Sequence, residues 1–298
     1  MDGILNVYKE KGFTSHDVVA KLRGIFHQKK IGHTGTLDPD ATGVLPVCLG
    51  KATKVCELLT DKDKTYHAIV QLGIVTDTQD TSGKILEEHE VEVTFEQIQK
   101  VASDFVGDLM QIPPMYSAIK VNGKKLYELA RAGQEIKREP RKIQVFSLEL
   151  GEYDEANHTF EMNVHCGKGT YIRTICHDIG QALGCGGAMK ELVRTRVSSF
   201  TIESAKTLSE IEEALKVNDI SILAPVDSVF MNLPSGYVKQ PASLKRLMNG
   251  NQLFEQDVET ISRTLNMGER VRIYDLEDKF IAIYEFKENG YYPVKMFL

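Results

Sequence analysis

The chain has 298 residues, 42% of them hydrophobic and 26% charged, which is enough for one large domain plus a small one around a sizeable core. Its net charge of −6 argues weakly against a nucleic-acid partner, because such binding depends on Lys and Arg. No apolar run reaches the length of a membrane span, and the start lacks the basic and apolar regions of a secretory signal.

The distribution of charge, unlike the net charge, is compatible with a nucleic-acid partner. Residues 111–142 carry a net charge of +5 and residues 165–196 one of +3, whereas residues 77–110 carry −7. A basic face can therefore meet a polyanion while an acidic face keeps the chain in solution. Charge alone leaves a solvated surface of mixed sign open as the alternative.

Cysteine and histidine patterns predict no metal site. The five cysteines form no CxxC pair, and the eight histidines are scattered. There is no zinc-deaminase pattern and no phosphate-binding P-loop. An odd number of unpaired cysteines favours reduced thiols, and together with the start of the chain it predicts a cytoplasmic protein.

The first predicted element in chain order is an amphipathic helix at 14–27, capped by Thr14 or Ser15. Residues 31–50 contain several glycines and two prolines and lack periodicity, which predicts a long ordered loop. Thr94 begins a capping-box pattern that predicts a helix from about 95. The other predictions for this part are strands at 66–75, 143–150 and 159–166 and helices at 171–184 and 207–216.

A change in composition near residues 232–236 predicts a domain boundary. Beyond it, alternating apolar residues and turn signals predict a small β-rich module over 233–298, whose nine basic and nine acidic residues cancel. The predicted elements of this module are a short helix at 241–249 and strands at about 269–276, 279–286 and 291–298.

The most unusual segment is GHTGTLDPDATGVLP at residues 32–46. Its glycines and prolines specify a backbone that is neither helix nor strand, and ordering such a loop is costly unless it holds something in place. Pro39 biases the preceding Asp38 towards an extended conformation. From these residues alone, two roles for Asp38 stay open: a turn aspartate that bonds its own backbone, and a catalytic or ligand-binding carboxylate.

The run from Gly32 to Lys54 resembles the signature of the bacterial tRNA pseudouridine-55 synthases. The resemblance is dense over about residues 3–230 and loose across the C-terminal module. Further matching segments follow in the family's order: Lys64–Tyr66, Thr76–Asp80, Gln111–Ala118, Gly123–Tyr127, Gly167–Thr174 and Leu192–Thr195.

This resemblance implies the pseudouridine synthase fold, an α+β fold with a mixed, largely antiparallel sheet and flanking helices. It also implies a catalytic domain over 1–232, with an RNA-gripping insertion at about 111–142, and a C-terminal RNA-binding module over 233–298. The implied reaction isomerises uridine 55 in the T-loop of tRNA. It breaks the C1′–N1 bond and rejoins the uracil through C5, so it needs no cofactor.

The family's residue roles carry over position by position. Asp38 matches the nucleophile, Arg173 the arginine that pairs with it, and Tyr66 the tyrosine that lies against the target base. The expected substrate-binding residues are His33, which fills the space left by the flipped base, Tyr171 and Leu192 in the base pocket, and Lys124 and Lys125 on the insertion.

Three functional hypotheses remain at this point. The first is a monomeric synthase that acts on tRNA without an obligatory protein partner. The second is an RNA-binding chaperone that folds tRNA and no longer catalyses, although the intact Asp38, Tyr66 and Arg173 speak against it. The third is a guide-RNA-dependent synthase of the archaeal and eukaryotic type, which works in a complex. The long basic insertion favours the first.

Overall fold

The structure, a computed structural model, describes residues 1–121, 123–260 and 265–298. Its main feature is a ten-stranded sheet, accompanied by a five-stranded sheet near the C-terminus and two short hairpins. The strands are β1 (Gly3–Lys9), β2 (Ile31–His33), β3 (Thr42–Leu49), β4 (Lys64–Leu72), β5 (Ile74–Thr76), β6 (Ile85–Glu88), β7 (Gly107–Gln111), β8 (Lys120–Val121), β9 (Lys124–Lys125), β10 (Arg141–Asp154), β11 (Thr159–Cys166), β12 (Gly187–Val197), β13 (Phe200–Thr201), β14 (Leu223–Ala224), β15 (Ser235–Val238), β16 (Val258–Thr260), β17 (Arg270–Tyr274), β18 (Phe280–Lys287) and β19 (Gly290–Met296).

α-Helices and short 3-10 segments lie between the strands along the chain. The α-helices in the described residues are α1 (Ser15–Ile25), α2 (Cys56–Thr60), α3 (Phe95–Ser103), α4 (Leu126–Arg131), α5 (Ile172–Leu183), α6 (Leu208–Lys216) and α7 (Pro241–Met248), with short 3-10 segments at Gly50–Val55, Ile202–Ser204, Val226–Phe230 and Glu255–Asp257.

The large sheet confirms the predicted mixed, largely antiparallel architecture. Its strand order is β14-β1-β3-β12-β4-β11-β10-β7, and β2 and β13 attach to β3 and β12. All pairs are antiparallel except β3 and β12, which run parallel and place Val193 beside Thr42 and Arg194 beside Gly43. This junction lies directly after the segment that carries Asp38, so the sheet brings β12 and β4 to the candidate site.

The predicted helix at 14–27 is confirmed as α1. Thr14 caps it, and Asp17 completes a capping box by accepting hydrogen bonds from the Thr14 backbone and hydroxyl. Val18 and Leu22 are fully buried, as the apolar stripe requires. The helices predicted near 95, at 171–184 and at 207–216 are also confirmed, as α3, α5 and α6.

The prediction of a continuous loop over 31–50 is wrong at both ends. Residues 31–33 form β2 and residues 42–49 form β3, which leaves a loop of residues 34–41. β3 is buried along nearly its whole length, so it lacks the alternation of a half-exposed strand. Pro46 is tolerated because it falls between the stretch of β3 that pairs with β12 and the stretch that pairs with β2.

The hairpin predicted at 143–166 is present: β11 has the predicted bounds, whereas β10 is longer than expected and the turn is tighter. β10 extends from Arg141 to Asp154, because register shifts keep it paired with β11 beyond the predicted end. β1 and β12 have no counterpart among the predicted elements. β12 contains two register shifts against β4, which disturb the alternation that identifies a strand.

The C-terminal residues form the sheet β16-β15-β17-β18-β19 with α7 beside it. Its predicted strands are confirmed as β17, β18 and β19, while residues 261–264 of the module lie outside the described part. Ile283 and Phe297 share a hydrophobic cluster with Ile4 and Cys48 of the large sheet, and Lys54 donates to the Met296 carbonyl (2.8 Å). The module is therefore packed against the large sheet, and the division at residue 232 stays a prediction.

Candidate active site

The loop at 34–41 is fixed at both of its ends. The Thr34 backbone and hydroxyl both donate to the Pro46 carbonyl, at 3.1 Å each. The Leu37 N–H donates to the hydroxyl of Ser15 on α1 (2.9 Å), and the Leu37 side chain is buried in the core. The Lys9 ammonium donates to the Pro39 carbonyl (3.0 Å). These anchors lie on both sides of Asp38 and hold it in one place.

Asp38 pairs with Arg173. The Arg173 Nε lies 3.0 Å from the Asp38 Oδ2; the arginine side chain is 7% exposed, whereas the aspartate side chain is 44% exposed. A charge-assisted bond of this length orients the carboxylate. Because nearly half of Asp38 stays accessible, a substrate can reach the carboxylate without displacing the arginine.

The guanidinium of Arg173 is itself held by the surrounding backbone. Its Nη1 donates to the Thr78 carbonyl (3.0 Å) and its Nη2 to the Tyr116 carbonyl (2.8 Å). Asp80 Oδ2 lies 3.6 Å from the same Nη1. Arg173 thus connects the Asp38 loop, the turn after β5 and the first residues of the insertion.

Tyr66 lies on β4, next to Arg194 of β12. Burial raises the pKa of the Tyr66 phenol above its ordinary value; the nearby Arg194 guanidinium opposes this shift, and the Asp38 charge adds to it. The same carboxylate also raises the pKa of Tyr171, where burial is the main cause. Both phenols are therefore within electrostatic range of Asp38 and stay protonated at neutral pH.

An apolar wall adjoins the carboxylate. Leu192 and Tyr66 are buried in the same hydrophobic cluster as Leu37 and Ala41 of the loop. Tyr171 precedes α5 and is held by Gln111, whose amide exchanges two hydrogen bonds with the Tyr171 backbone (2.9 and 3.0 Å). The structure therefore brings Asp38, Arg173, Tyr66, Tyr171 and Leu192 together, as the sequence predicted.

His33 ends β2 beside the same loop. Its Nδ1 accepts the Gly35 N–H (3.3 Å), and its ring meets the exposed His16 ring edge-on at 5.2 Å. Burial lowers the pKa of His33, and the neighbouring His16 and Arg194 lower it further. The ring is therefore neutral at pH 7, with Nδ1 as acceptor, and can stack or donate through Nε2 without carrying charge.

Lys124 and Lys125 lie apart from this cluster, in the hairpin of β8 and β9 and at the start of α4. Lys125 Nζ lies 3.2 Å from the Tyr127 hydroxyl and 5.3 Å from the centre of its ring, while Lys124 is exposed. Residue 122 of the insertion lies outside the described residues. The Tyr127 N–H donates to the carbonyl of Ser117, which follows the Tyr116 that holds Arg173, so the insertion is connected to Arg173.

Sequence reasoning assigned no role to four further residues that build the site. Asp80 and Arg194 belong to matching segments, and their burial beside Arg173 and Tyr66 came only from the tertiary structure. Lys9 and Lys64 are buried cations bonded to backbone carbonyls. Burial lowers the pKa of both to about 8. A cation within a hydrophobic strand, as at Lys9, is the signal that could have identified them.

Across residues 1–121, 123–260 and 265–298, no three His, Cys, Asp or Glu side chains are grouped closely enough to hold a metal ion. In the same ranges, no helix is both long enough and apolar enough to cross a membrane.

The site therefore consists of an accessible aspartate, an arginine that orients it and an apolar wall with two phenols, on a mixed sheet. This combination characterises the pseudouridine synthases. The chain belongs to the TruB family: the profile of the family's N-terminal pseudouridylate synthase domain matches residues 23–172, and that of the tRNA pseudouridylate synthase B C-terminal domain matches residues 173–231.

Relatives of similar length support the same family. The chain is 55% identical to the tRNA pseudouridine synthase B of Lachnoclostridium phytofermentans, with all of both chains covered. It is 44% identical to the protein of that name from Caldanaerobacter subterraneus, over 100% of this chain and 99% of the other. The predicted family is thereby confirmed.

Solved structures support the fold. A chain in a Cbf5–Nop10–Gar1 complex superposes with a TM-score of 0.74 at 28% identity, covering 99% of this chain and 85% of the other. A chain in an H/ACA ribonucleoprotein bound to substrate RNA containing 2′-deoxyuridine gives 0.73 at 26% identity, with the same coverage. The predicted pseudouridine synthase fold is confirmed.

Proposed function

We propose that this chain isomerises uridine 55 in the T-loop of tRNA to pseudouridine. The observation that carries the proposal is the pair of Asp38 and Arg173: an ionised carboxylate, held from one side and open on the other, beside an apolar wall. The curated relatives, which are named as tRNA pseudouridine synthases, support tRNA as the substrate.

The chemistry follows from these groups. The target base is stacked in the T-loop, so it must be flipped out, at a cost of a few kcal/mol that phosphate and base contacts offset. Asp38 attacks the nucleotide at C1′ or C6, the C1′–N1 bond breaks, and the uracil turns and rejoins C1′ through C5. The C5 proton leaves and N1 gains one, so the atoms balance without a cofactor. Tyr66 is the group proposed to take the C5 proton, directly or through water: its neutral hydroxyl accepts this proton as it gives up its own.

The apolar lining has a role in this scheme. Tyr171 and Leu192 line the pocket for the detached uracil and keep out water that could trap an intermediate. His33 occupies the space that the base leaves in the RNA, and its neutral ring suits stacking. Lys124 and Lys125 hold the RNA backbone. Residues 1–232 act as the catalytic domain, and the neutral module over 233–298 adds a modest contribution to RNA affinity.

We also propose that the chain acts as a monomer in the cytoplasm, without an obligatory protein partner. The basic insertion supports this, because it supplies RNA contacts within the chain itself. Two alternatives remain as outcomes of the test: a protein that binds and folds tRNA without modifying it, and a synthase that requires a guide RNA and partner proteins.

The test compares the purified single chain with Asp38→Asn on a T-arm RNA hairpin. We expect the wild-type chain to convert the uridine and Asp38→Asn to lose at least about a thousandfold in rate with unchanged RNA affinity, because an amide cannot attack as a nucleophile. Asp40→Asn is the matched control, since Asp40 is an exposed aspartate of the same loop, and it should retain full activity.

Each contrary result has a clear meaning. Conversion by Asp38→Asn at the wild-type rate would remove Asp38 as the nucleophile. Tight binding by the wild-type chain without conversion would favour the folding role. Conversion only after a guide RNA and partner proteins are added would overturn the proposal that the chain acts alone.

A further inference from the structure

Arg194 lies where β12 pairs with both β3 and β4. It lies on β12, where its neighbour on one side is Tyr66 of β4 and its neighbour on the other is Gly43 of β3. Gly43 has φ +104°, and a Cβ at this position would collide with the Arg194 carbonyl oxygen. Only glycine at position 43 therefore allows β3 and β12 to lie this close together. A single side chain at this point can reach both the base-side tyrosine and the Asp38 loop.

The guanidinium of Arg194 donates hydrogen bonds to the backbone of that loop and of β3. Its Nε donates to the Val44 carbonyl (2.7 Å), its Nη2 to the Gly35 carbonyl (3.2 Å) and its Nη1 to the Thr36 carbonyl (3.5 Å). These acceptors lie on both sides of Asp38. The planar fork of arginine can bind several carbonyls at fixed angles, which the point charge of lysine cannot.

The position of this charge is costly. Arg194 is 1% exposed, and no carboxylate among the described residues forms an ion pair with it. Burying an unpaired charge destabilises a fold unless hydrogen bonds compensate, and an apolar side chain would fill the same volume without that cost. The neighbouring Lys9 and Lys64 also feel the Arg194 charge, which lowers the pKa of both ammonium groups further after burial.

We propose that Arg194 is a positioning residue of the reaction: it ties the Asp38 loop to β4 and sets the distance and orientation between Asp38 and Tyr66. The inference rests on the proposed function, because it concerns the same site. Arg173 orients the Asp38 carboxylate directly, whereas Arg194 acts through the backbone of the loop and through its position beside Tyr66 in the pairing of β12 with β4. Its charge also opposes the rise in the Tyr66 pKa that burial causes.

The test uses Arg194→Met, Arg194→Lys and the control Arg196→Met. Arg196 lies on the same strand and makes as many hydrogen bonds, but to Thr65, Asp63 and Ser198, away from the loop. Single-turnover conversion of T-arm RNA, RNA affinity, amide exchange of residues 34–41 and the pH dependence of the rate are measured for each.

For Arg194→Met we expect a rate about a hundredfold lower at unchanged RNA affinity, the size of loss that a small misplacement of catalytic groups causes. Amides of the loop should exchange faster, and the pKa seen in the alkaline part of the rate profile should rise. Arg194→Lys, which keeps the charge without the fork, should regain part of the rate and the wild-type pH profile while its loop still exchanges faster. Arg196→Met should react at the wild-type rate.

Several results would overturn the proposal. One is a wild-type rate and pH profile in Arg194→Met; another is an equal loss of rate in Arg196→Met, which would indicate a general packing effect. If Arg194→Met does not fold, the Arg194→Lys variant decides: a wild-type conversion rate together with wild-type amide exchange of the loop would contradict the proposal. Failure of the proposed function is distinguishable, because the wild-type chain itself would then leave the T-arm uridine unconverted.

Discussion

At the scale of single residues, the site is held together by buried cations that donate hydrogen bonds to backbone carbonyls. Arg173 holds Thr78 and Tyr116, Arg194 holds the Asp38 loop, and Lys9 holds the Pro39 carbonyl. Each of these bonds offsets part of the cost of burying the charge. The result is a rigid frame around one accessible carboxylate, which is what nucleophilic attack on a large substrate requires.

Lys9 gives this frame a measurable pH dependence. Its pKa is lowered to about 8, mainly by burial, while the carboxylates of Asp38 and Asp40 oppose the shift. An unfolded chain keeps the ordinary lysine value of 10.5 and so binds more protons than the folded chain between about pH 8 and 10.5. The contribution of Lys9 to the free energy of unfolding therefore rises with pH in this window.

We predict that Lys9→Met flattens this rise. Chemical denaturation at pH 8 and pH 10 should give a smaller increase in unfolding free energy for the variant than for the wild-type chain, because the titrating group is gone. The exposed Lys11 is the matched control, and Lys11→Met should retain the wild-type increase. Equal increases in all three proteins would exclude Lys9 as the group that titrates.

At the scale of elements, α1 and the Asp38 loop are joined by one buried hydroxyl. Ser15 is fully buried; its Oγ accepts the Leu37 N–H at 2.9 Å and lies 3.5 Å from the Leu37 carbonyl. Thr14, one residue earlier, is exposed and caps the same helix; in the described residues its hydroxyl hydrogen-bonds to Asp17. The Ser15 hydroxyl therefore anchors the loop, whereas the Thr14 hydroxyl caps the helix.

We predict that Ser15→Ala and Thr14→Ala differ in activity more than in stability. Ser15→Ala should lower stability by about 1–3 kcal/mol, since it leaves the buried Leu37 N–H unpaired. Thr14→Ala should lower it by about 1 kcal/mol through the lost cap. Only Ser15→Ala should reduce the conversion rate and speed amide exchange at Leu37; similar rates in both variants would show that this tie does not hold the loop.

At the scale of the whole molecule, charge is separated along the chain. Residues 111–142 carry +5, residues 77–110 carry −7, and the C-terminal module is neutral. The strongly basic segment is the one whose first residues hold Arg173, so the part of the molecule suited to a polyanion adjoins the pair of Asp38 and Arg173.

We predict that Lys124→Ala combined with Lys125→Ala weakens tRNA binding and reduces the salt dependence of affinity, by about one unit of slope for each lysine that contacts a phosphate. Lys84→Ala with Lys100→Ala is the control, since both are exposed lysines of the acidic segment. Titrations at several salt concentrations give the slopes. An unchanged slope in the first variant would place the RNA contacts elsewhere.

The sequence by itself determined the helices with caps, and its resemblance to a known family indicated the largely antiparallel sheet and the candidate site residues. Capping boxes such as that of Thr94 and Gln97 are local, because they are formed by residues three apart. Asp38, Arg173 and Tyr66 were found through the matching segments around them. The physics of the Asp38 segment alone left its role open, since a turn aspartate and a nucleophile have the same local sequence.

The tertiary structure decided what depends on distant strands. The segment read as a loop contains β3 because its apolar residues are buried between β1 and β12, which no local pattern reveals. The close parallel pairing of β3 with β12 puts Arg194 between Tyr66 and the Asp38 loop, residues far apart in the chain. The residue types were readable from the sequence, but a buried charge acquires its role from partners that only folding brings within hydrogen-bond distance.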